Sequence, residues 1–121
     1  MKYLCMLYYD IDKFEALSQA EKEAIGPLCK PYDKQLRATG KVYAVGTLND
    51  PSNWMSIRPH GGESVVTKGK YFSSSEQAGA FMIIDANSLD EAVKIASIHP
   101  AAHLGENIGW GVEVRACESF D

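Results

Sequence analysis

Residues 2–9 read Lys-Tyr-Leu-Cys-Met-Leu-Tyr-Tyr, and neither alternating set is polar: Leu4, Met6 and Tyr8 point one way, and Tyr3, Cys5, Leu7 and Tyr9 the other. Side chains alternate across a strand, so a segment apolar on both sets must be covered on both faces. The run is therefore read as a central strand of a sheet. It does not read as a secretory signal, because its apolar core is short, Asp10 follows it at once, and no small-residue cleavage site is present. No apolar stretch reaches the ~20 residues that a membrane-spanning helix needs.

The remaining chain supplies what such a strand requires. Residues 10–17 read as a polar link. Ser18-Gln19-Ala20-Glu21 fits a capping box and opens a helix whose stripe is Leu17, Ala20, Ala24, Leu28, Tyr32 and Leu36. Pro27 and Pro31 each remove a helical donor and predict a kink or break between Gly26 and Pro31, and Gly40 closes the helix. Residues 41–48 alternate, with Val42, Ala44 and Leu48 on one side and Tyr43, Val45 and Thr47 on the other. A turn cluster over 49–53 leads to two short strands, 54–58 and 64–67, flanking His60-Gly61-Gly62 as a hairpin. Residues 68–77 read as a polar surface loop and 79–85 as a second apolar strand. Ser88-Leu89-Asp90-Glu91 opens another helix, with Leu89, Ala92, Val93 and Ala96 inward and His99-Pro100 as its stop. A loop over 101–109 precedes a last strand over 110–118.

Strand–helix–strand, hairpin, strand–helix–strand is an α+β pattern. It predicts a single domain over residues 1–121 with the ferredoxin-like, split βαβ arrangement and an inserted hairpin. Two helices cover one sheet face. The other face is also apolar, and a second copy of the chain is the economical cover, giving a homodimer. Sixteen Asp and Glu against twelve Lys and Arg leave a net charge of −4, which argues against a nucleic-acid partner. Cys5, Cys29 and Cys117 are odd in number, lie in apolar patterns and show no CxxC spacing, so a reduced, cytoplasmic protein is expected. No phosphate-cradling glycine loop, HExxH or CxxC is present, so neither a cofactor nor a metal is expected.

The opening Met1-Lys2-Tyr3-Leu4-Cys5-Met6-Leu7-Tyr8-Tyr9-Asp10, then Leu36-Arg37-Ala38-Thr39-Gly40, Gly46-Thr47-Leu48, Leu89-Asp90-Glu91-Ala92, His99-Pro100 and Glu113-Val114-Arg115, follow one another in a specific order. In these residues the chain resembles the YciI-related family, in its DGPF-containing branch, almost end to end. The resemblance implies a dimeric α/β barrel. Isomerases, dehydrochlorinases and monooxygenases on similar barrels supply the analogy for a small organic molecule bound in a cleft between facing sheets, with or without chemistry. The alternative is a non-catalytic regulatory module, because genes of DGPF-type proteins are associated with alternative sigma factors. The family's Asp-Gly-Pro-Phe stretch falls on Lys68-Gly69-Lys70-Tyr71, where only the glycine is kept, and its next acidic position is Ser73. Glu76 and Gly79 keep their spacing after it. YciI relatives also carry a histidine in the first helix, proposed to work with an aspartate. The stretch near Cys29 has none, so that pairing is not expected to carry over.

Six residues are candidates for ligand binding. Glu113 and Arg115 lie two apart on the last strand and share a face, either anchoring a polar ligand or pairing with each other structurally. Tyr8 and Asp10 end the first strand, where they either border a crevice or pack and start a turn. His99 sits at a helix end, where the dipole alone accounts for it if it has no ligand. Arg58 shares a hairpin face with Trp54 and Ser56 and either meets an anion or is an ordinary surface residue. His99 and His103 are not expected to chelate a metal, because Pro100 interrupts the helix between them.

Overall fold

The computed structural model describes residues 1–121. Strand β1 covers Lys2–Asp10 and runs into a short helix, α1, over Ile11–Glu15. The polar link read over 10–17 is thus partly helical, because Asp10 caps its first turn by accepting from the Lys13 N–H at 3.1 Å. Helix α2 spans Gln19–Ala38, and its capping box forms as expected. Ser18 Oγ accepts from the Glu21 N–H at 3.1 Å, and the Glu21 carboxylate accepts from the Ser18 N–H at 2.9 Å. Strand β2 is Val42–Thr47, the hairpin strands β3 and β4 are Met55–His60 and Glu63–Lys68, and β5 is Glu76–Asp85. Helix α3 covers Leu89–Ala96, and β6 covers Gly111–Ala116. No helix is long and apolar enough to cross a membrane.

Four strands form one antiparallel sheet in the order β2-β5-β1-β6. The crossover through α2 leaves a gap that β5 fills, and the crossover through α3 passes over β1. The doubly apolar β1 is therefore central, as its pattern required. Its inward set packs with β5 against both helices: Tyr3, Cys5, Met82 and Ile84 meet Leu36 of α2 and Ala92, Ile95 and Ala96 of α3. Val112 and Val114 of β6 close the same layer. Leu4, Met6, Phe81 and Ile83 lie half-buried on the opposite face, which no helix covers.

Two helical stripes differ from the sequence reading. On α2, Leu36 is buried and Tyr32, Cys29, Ile25 and Lys22 are half-buried, a spacing of four, three, four and three. Steps of four residues drift by about 40° each on a helix of 3.6 residues per turn. The expected stripe shares Leu36 and Tyr32, then rotates away from the sheet, which leaves Leu28 58% exposed and Ala24 and Ala20 exposed. On α3 the small pair Ala92 and Ala96 lets the helix approach the sheet with Ile95, so Leu89 and Val93 turn outward.

Helix α2 also continues through Pro27 and Pro31 without the expected break. Both prolines lie on the exposed side, as do Glu23 and Pro27, whose carbonyls lose their donors, so water can satisfy those groups. Helix α3 ends at Ala96, capped at Ser97, before His99-Pro100 is reached. Strand β5 begins three residues earlier than expected, at Glu76, and β6 is confined to 111–116.

The hairpin stands apart as its own two-stranded sheet. Met55, Ile57 and Val66 share one of its faces and are all exposed. Gly69, just past β4, adopts φ +119°, a conformation that side-chain-bearing residues avoid. Its N–H donates to Trp54 O at 2.8 Å, and its carbonyl accepts from Ser56 Oγ at 2.7 Å.

The two stripes make a direct prediction. Met82→Ala empties a fully buried site and should cost about 2–5 kcal/mol in urea unfolding. Leu28→Ala should change stability by no more than about 0.5 kcal/mol. Equal costs would contradict the observed orientation of α2.

Candidate functional site

A cavity of about 430 Å³ opens where the core layer ends, between the last residues of β1, the middle of α2, the loop after β2 and the segment 99–101. Its floor depends on an irregularity in the sheet. Leu7 pairs with Ala80 but Tyr8 pairs with Ala78, so Gly79 is an extra, bulged residue. The Tyr9 ring lies over this glycine, so close that a Cβ at position 79 would sit 2.8 Å from the ring. Tyr9 meets Phe14 of α1 edge to face at 5.8 Å, and Trp110 adds a third aromatic wall.

The polar groups come from separate elements. Cys29 and Asp33 lie one turn apart on α2 and border the same cavity. Asp50 enters from the loop after β2, where it caps a 3-10 turn by accepting from the Ser52 N–H at 3.0 Å and from the Ser52 hydroxyl. These bonds hold its carboxyl below the ordinary range. Burial raises the Tyr9 phenol, and the negative charges of Glu15 and Asp50 raise it further. Burial also raises the Cys29 thiol, with Asp33 adding to the effect, so this cysteine is a neutral thiol rather than an activated thiolate.

His99 is the most constrained of these groups. Its Nδ1 accepts from the Ala101 N–H at 3.0 Å, capping the turn Pro100–Ala102. In the neutral ring the proton is therefore on Nε2. Nε2 makes no bond within the chain, and no buried side-chain nitrogen or oxygen lacks a partner, so Nε2 reaches solvent. Desolvation lowers the His99 pKa below 6.5, opposed in part by the carboxylate of Asp33. His99 at neutral pH is thus a neutral hydrogen-bond donor. His99 follows the last turn of α3, its N–H donating to Ala96 O at 3.0 Å, and a neutral ring draws no charge stabilisation from the helix dipole. No three His, Cys, Asp or Glu side chains converge as a metal-binding group.

The six candidates divide between places. His99 lines the cavity, and Tyr8 borders it. The Tyr8 hydroxyl nevertheless donates to Glu113 Oε1 at 3.1 Å, on the uncovered sheet face. Burial and the Glu113 bond raise that phenol. Arg115 shares the face with Glu113 but forms no ion pair with it; the two ion pairs in the chain are Lys2–Asp85 and Lys22–Glu15. Asp10 lies outside the cavity, holding α1 and accepting from Ser75 Oγ at 3.1 Å. Arg58 is remote from it as well. Its guanidinium lies 3.7 Å over the Tyr71 ring and donates to Tyr71 O at 2.9 Å. His103 stacks on Tyr32 at 5.1 Å, and its Nε2 lies 2.5 Å from Ser97 O.

Sequence reasoning missed Asp33, Asp50, Phe14 and Trp110. Cys29 and Asp33 at i and i+4 were the available signal, but using it required the correct α2 stripe. His99 and Asp33 both border this cavity, while α2 itself carries no histidine, as its sequence implied.

The YCII-related domain family matches residues 1–114 of the chain. An uncharacterised protein of Rhizobium meliloti (strain 1021) is 29% identical over 96 residues, covering 79% of this chain and 77% of that protein.

The His99 environment is testable by pH. Its folded pKa lies below the unfolded value, so protonation favours the unfolded chain. Stability associated with this group is complete above pH 6.5 and falls as pH drops through the window between the unfolded and folded values. His99→Gln should flatten that part of the urea-midpoint profile. In an NMR titration, Asp33→Asn should lower the His99 pKa further, because it removes the charge that favours imidazolium. A rise would show that Asp33 does not act on His99.

Proposed function

The chain belongs to the YCII-related domain family, and from that premise we propose that it binds a small organic molecule at His99, as one half of a homodimer. The observation that carries this reading is the free Nε2 of His99 at an aromatic-walled cavity of about 430 Å³. Ligand sites typically measure ~300–1,000 Å³ and combine apolar walls with a few fixed polar groups. The Ala101 bond fixes the tautomer, so Nε2–H donates to an acceptor atom of the ligand. Where chemistry accompanies binding, His99 is the group placed to polarise that acceptor or give it a proton. The ligand then lies on the helix side of the sheet.

The uncovered face is left for the second copy. Leu4, Met6, Phe81 and Ile83 supply its apolar centre, and two ferredoxin-like sheets packed through it form the dimeric α/β barrel. We place the chain in the DGPF-containing branch. Support comes from Gly69, the residue kept from the Asp-Gly-Pro-Phe stretch, whose backbone demands glycine, and from Gly79, whose bulge makes room for Tyr9. The second reading, a non-catalytic module with a protein partner in a transcriptional setting, is favoured by the exposed apolar face of the hairpin.

Two measurements check these readings. Sedimentation should give twice the 13.3 kDa chain mass, and Met6→Glu should reduce it to the chain mass. A monomer at all concentrations would remove the dimer. In an NMR fragment screen, hits should shift the Trp110 indole N–H and the His99 ring together. His99→Leu, which removes the donor, should weaken those hits by about tenfold, the scale of one lost hydrogen bond. Hits that ignore both residues, or a partner copurifying on the hairpin with no hits in the cavity, would favour the interaction module.

A further inference from the structure

The cavity has a pronounced charge character. Its lining includes two carboxylates, Asp33 and Asp50, from different elements, and no lysine or arginine. Lys22 approaches from outside at 5.1 Å from the Phe14 ring centroid, but it is already paired with Glu15 at 3.5 Å. An anionic ligand would face two like charges with no cation to offset them. A neutral ligand would leave them as they are, Asp33 facing water and Asp50 bonded to Ser52, and would draw nothing from their charge.

The walls point the same way independently of the carboxylates. Tyr9, Phe14 and Trp110 present aromatic surface, and ring faces attract cations through their quadrupole. Lys22 already lies over Phe14, whereas Tyr9 and Trp110 carry no cation within the chain. Resting on the reading that this cavity takes a small organic molecule, we infer that the ligand is an organic cation: an ammonium or substituted ammonium group on an aromatic or apolar body. Asp33 and Asp50 balance the charge, Tyr9, Phe14 and Trp110 enclose the body, and His99 Nε2–H takes an acceptor atom where the ligand has one.

The test uses the full chain with Trp54→Phe, so that Trp110 is the sole tryptophan reporter. Because the Trp54 indole donates to Asn49 O of the cavity wall at 3.0 Å, probe affinities are matched by calorimetry to those of the unsubstituted chain. The probes are 2-phenylethylammonium and 3-phenylpropionate, which share a body and differ in the sign of charge. At neutral pH and low ionic strength the ammonium should change Trp110 emission saturably and bind at least about tenfold tighter than the carboxylate. Added salt should weaken it. Asp33→Asn should weaken it by about fivefold, and Asp33→Glu should restore most of the loss, with unfolding midpoints unchanged for both. Equal or tighter binding of the carboxylate would overturn the cation class and leave the small-molecule reading standing. Ammonium binding indifferent to Asp33→Asn would overturn the role given to that carboxylate. Silence of Trp110 toward both probes would overturn the cation class and the small-molecule reading together.

Discussion

A strand that is apolar on both sides can be stable only between two layers, and β1 imposes that condition on everything around it. One layer is complete within the chain. Met82, Ile84 and Cys5 are fully removed from solvent, and burial alone pushes the Cys5 thiol up to about 11, which makes it an inert part of the core. The helices that form the layer are not interchangeable. Helix α3 enters the core through Ala92, Ile95 and Ala96, two of them small. Helix α2 touches the core through Leu36 near its end and through larger, half-buried side chains before that.

This asymmetry makes room for the cavity. Toward Leu36 the space between α2 and the sheet is filled. Toward Cys29 and Asp33 it opens, and the sheet beneath it is the bulged end of the β1–β5 pair. A bulge changes which way the next side chains point, and here it lays Tyr9 along the floor over Gly79. The site thus arises where regular packing stops, from an irregular strand end, a helix turn and two capped loops. Two of its polar groups, Asp50 and His99, also cap the turns that carry them. Their positions are fixed by backbone bonds within the chain.

The sequence carried the architecture further than the site. Element order, the Ser18–Glu21 capping box, the hairpin and the centrality of β1 were legible because they follow from local rules of capping, alternation and turn chemistry. At α3 only half of the expected box forms, Ser88 Oγ accepting from the Glu91 N–H while the Glu91 carboxylate accepts from Asn87. The helix faces were not, because several apolar residues on α2 allow more than one stripe, and only Leu36 against the sheet decides between them. The site depends on that rotation. Cys29 and Asp33 reach the cavity only with Leu28 turned outward. His99 was legible as a residue but not in its role, since its capping bond to Ala101 exists only after α3 has ended early. Asp10 and Arg58 were singled out for their chemistry, yet their charges are used by a helix start and by Tyr71.

The departures from the Asp-Gly-Pro-Phe pattern can now be placed. Lys68 ends β4, and Lys70 and Tyr71 follow Gly69 on the loop that Arg58 and Ser56 hold to the hairpin. None of them lines the cavity. The substitutions therefore change the charge of the hairpin base without changing the groups around His99. The glycine that remains is explained by backbone conformation alone, so its retention carries no information about chemistry. The cavity and the hairpin surface sit on different parts of one framework, and Lys68–Tyr71 belong to the second of them.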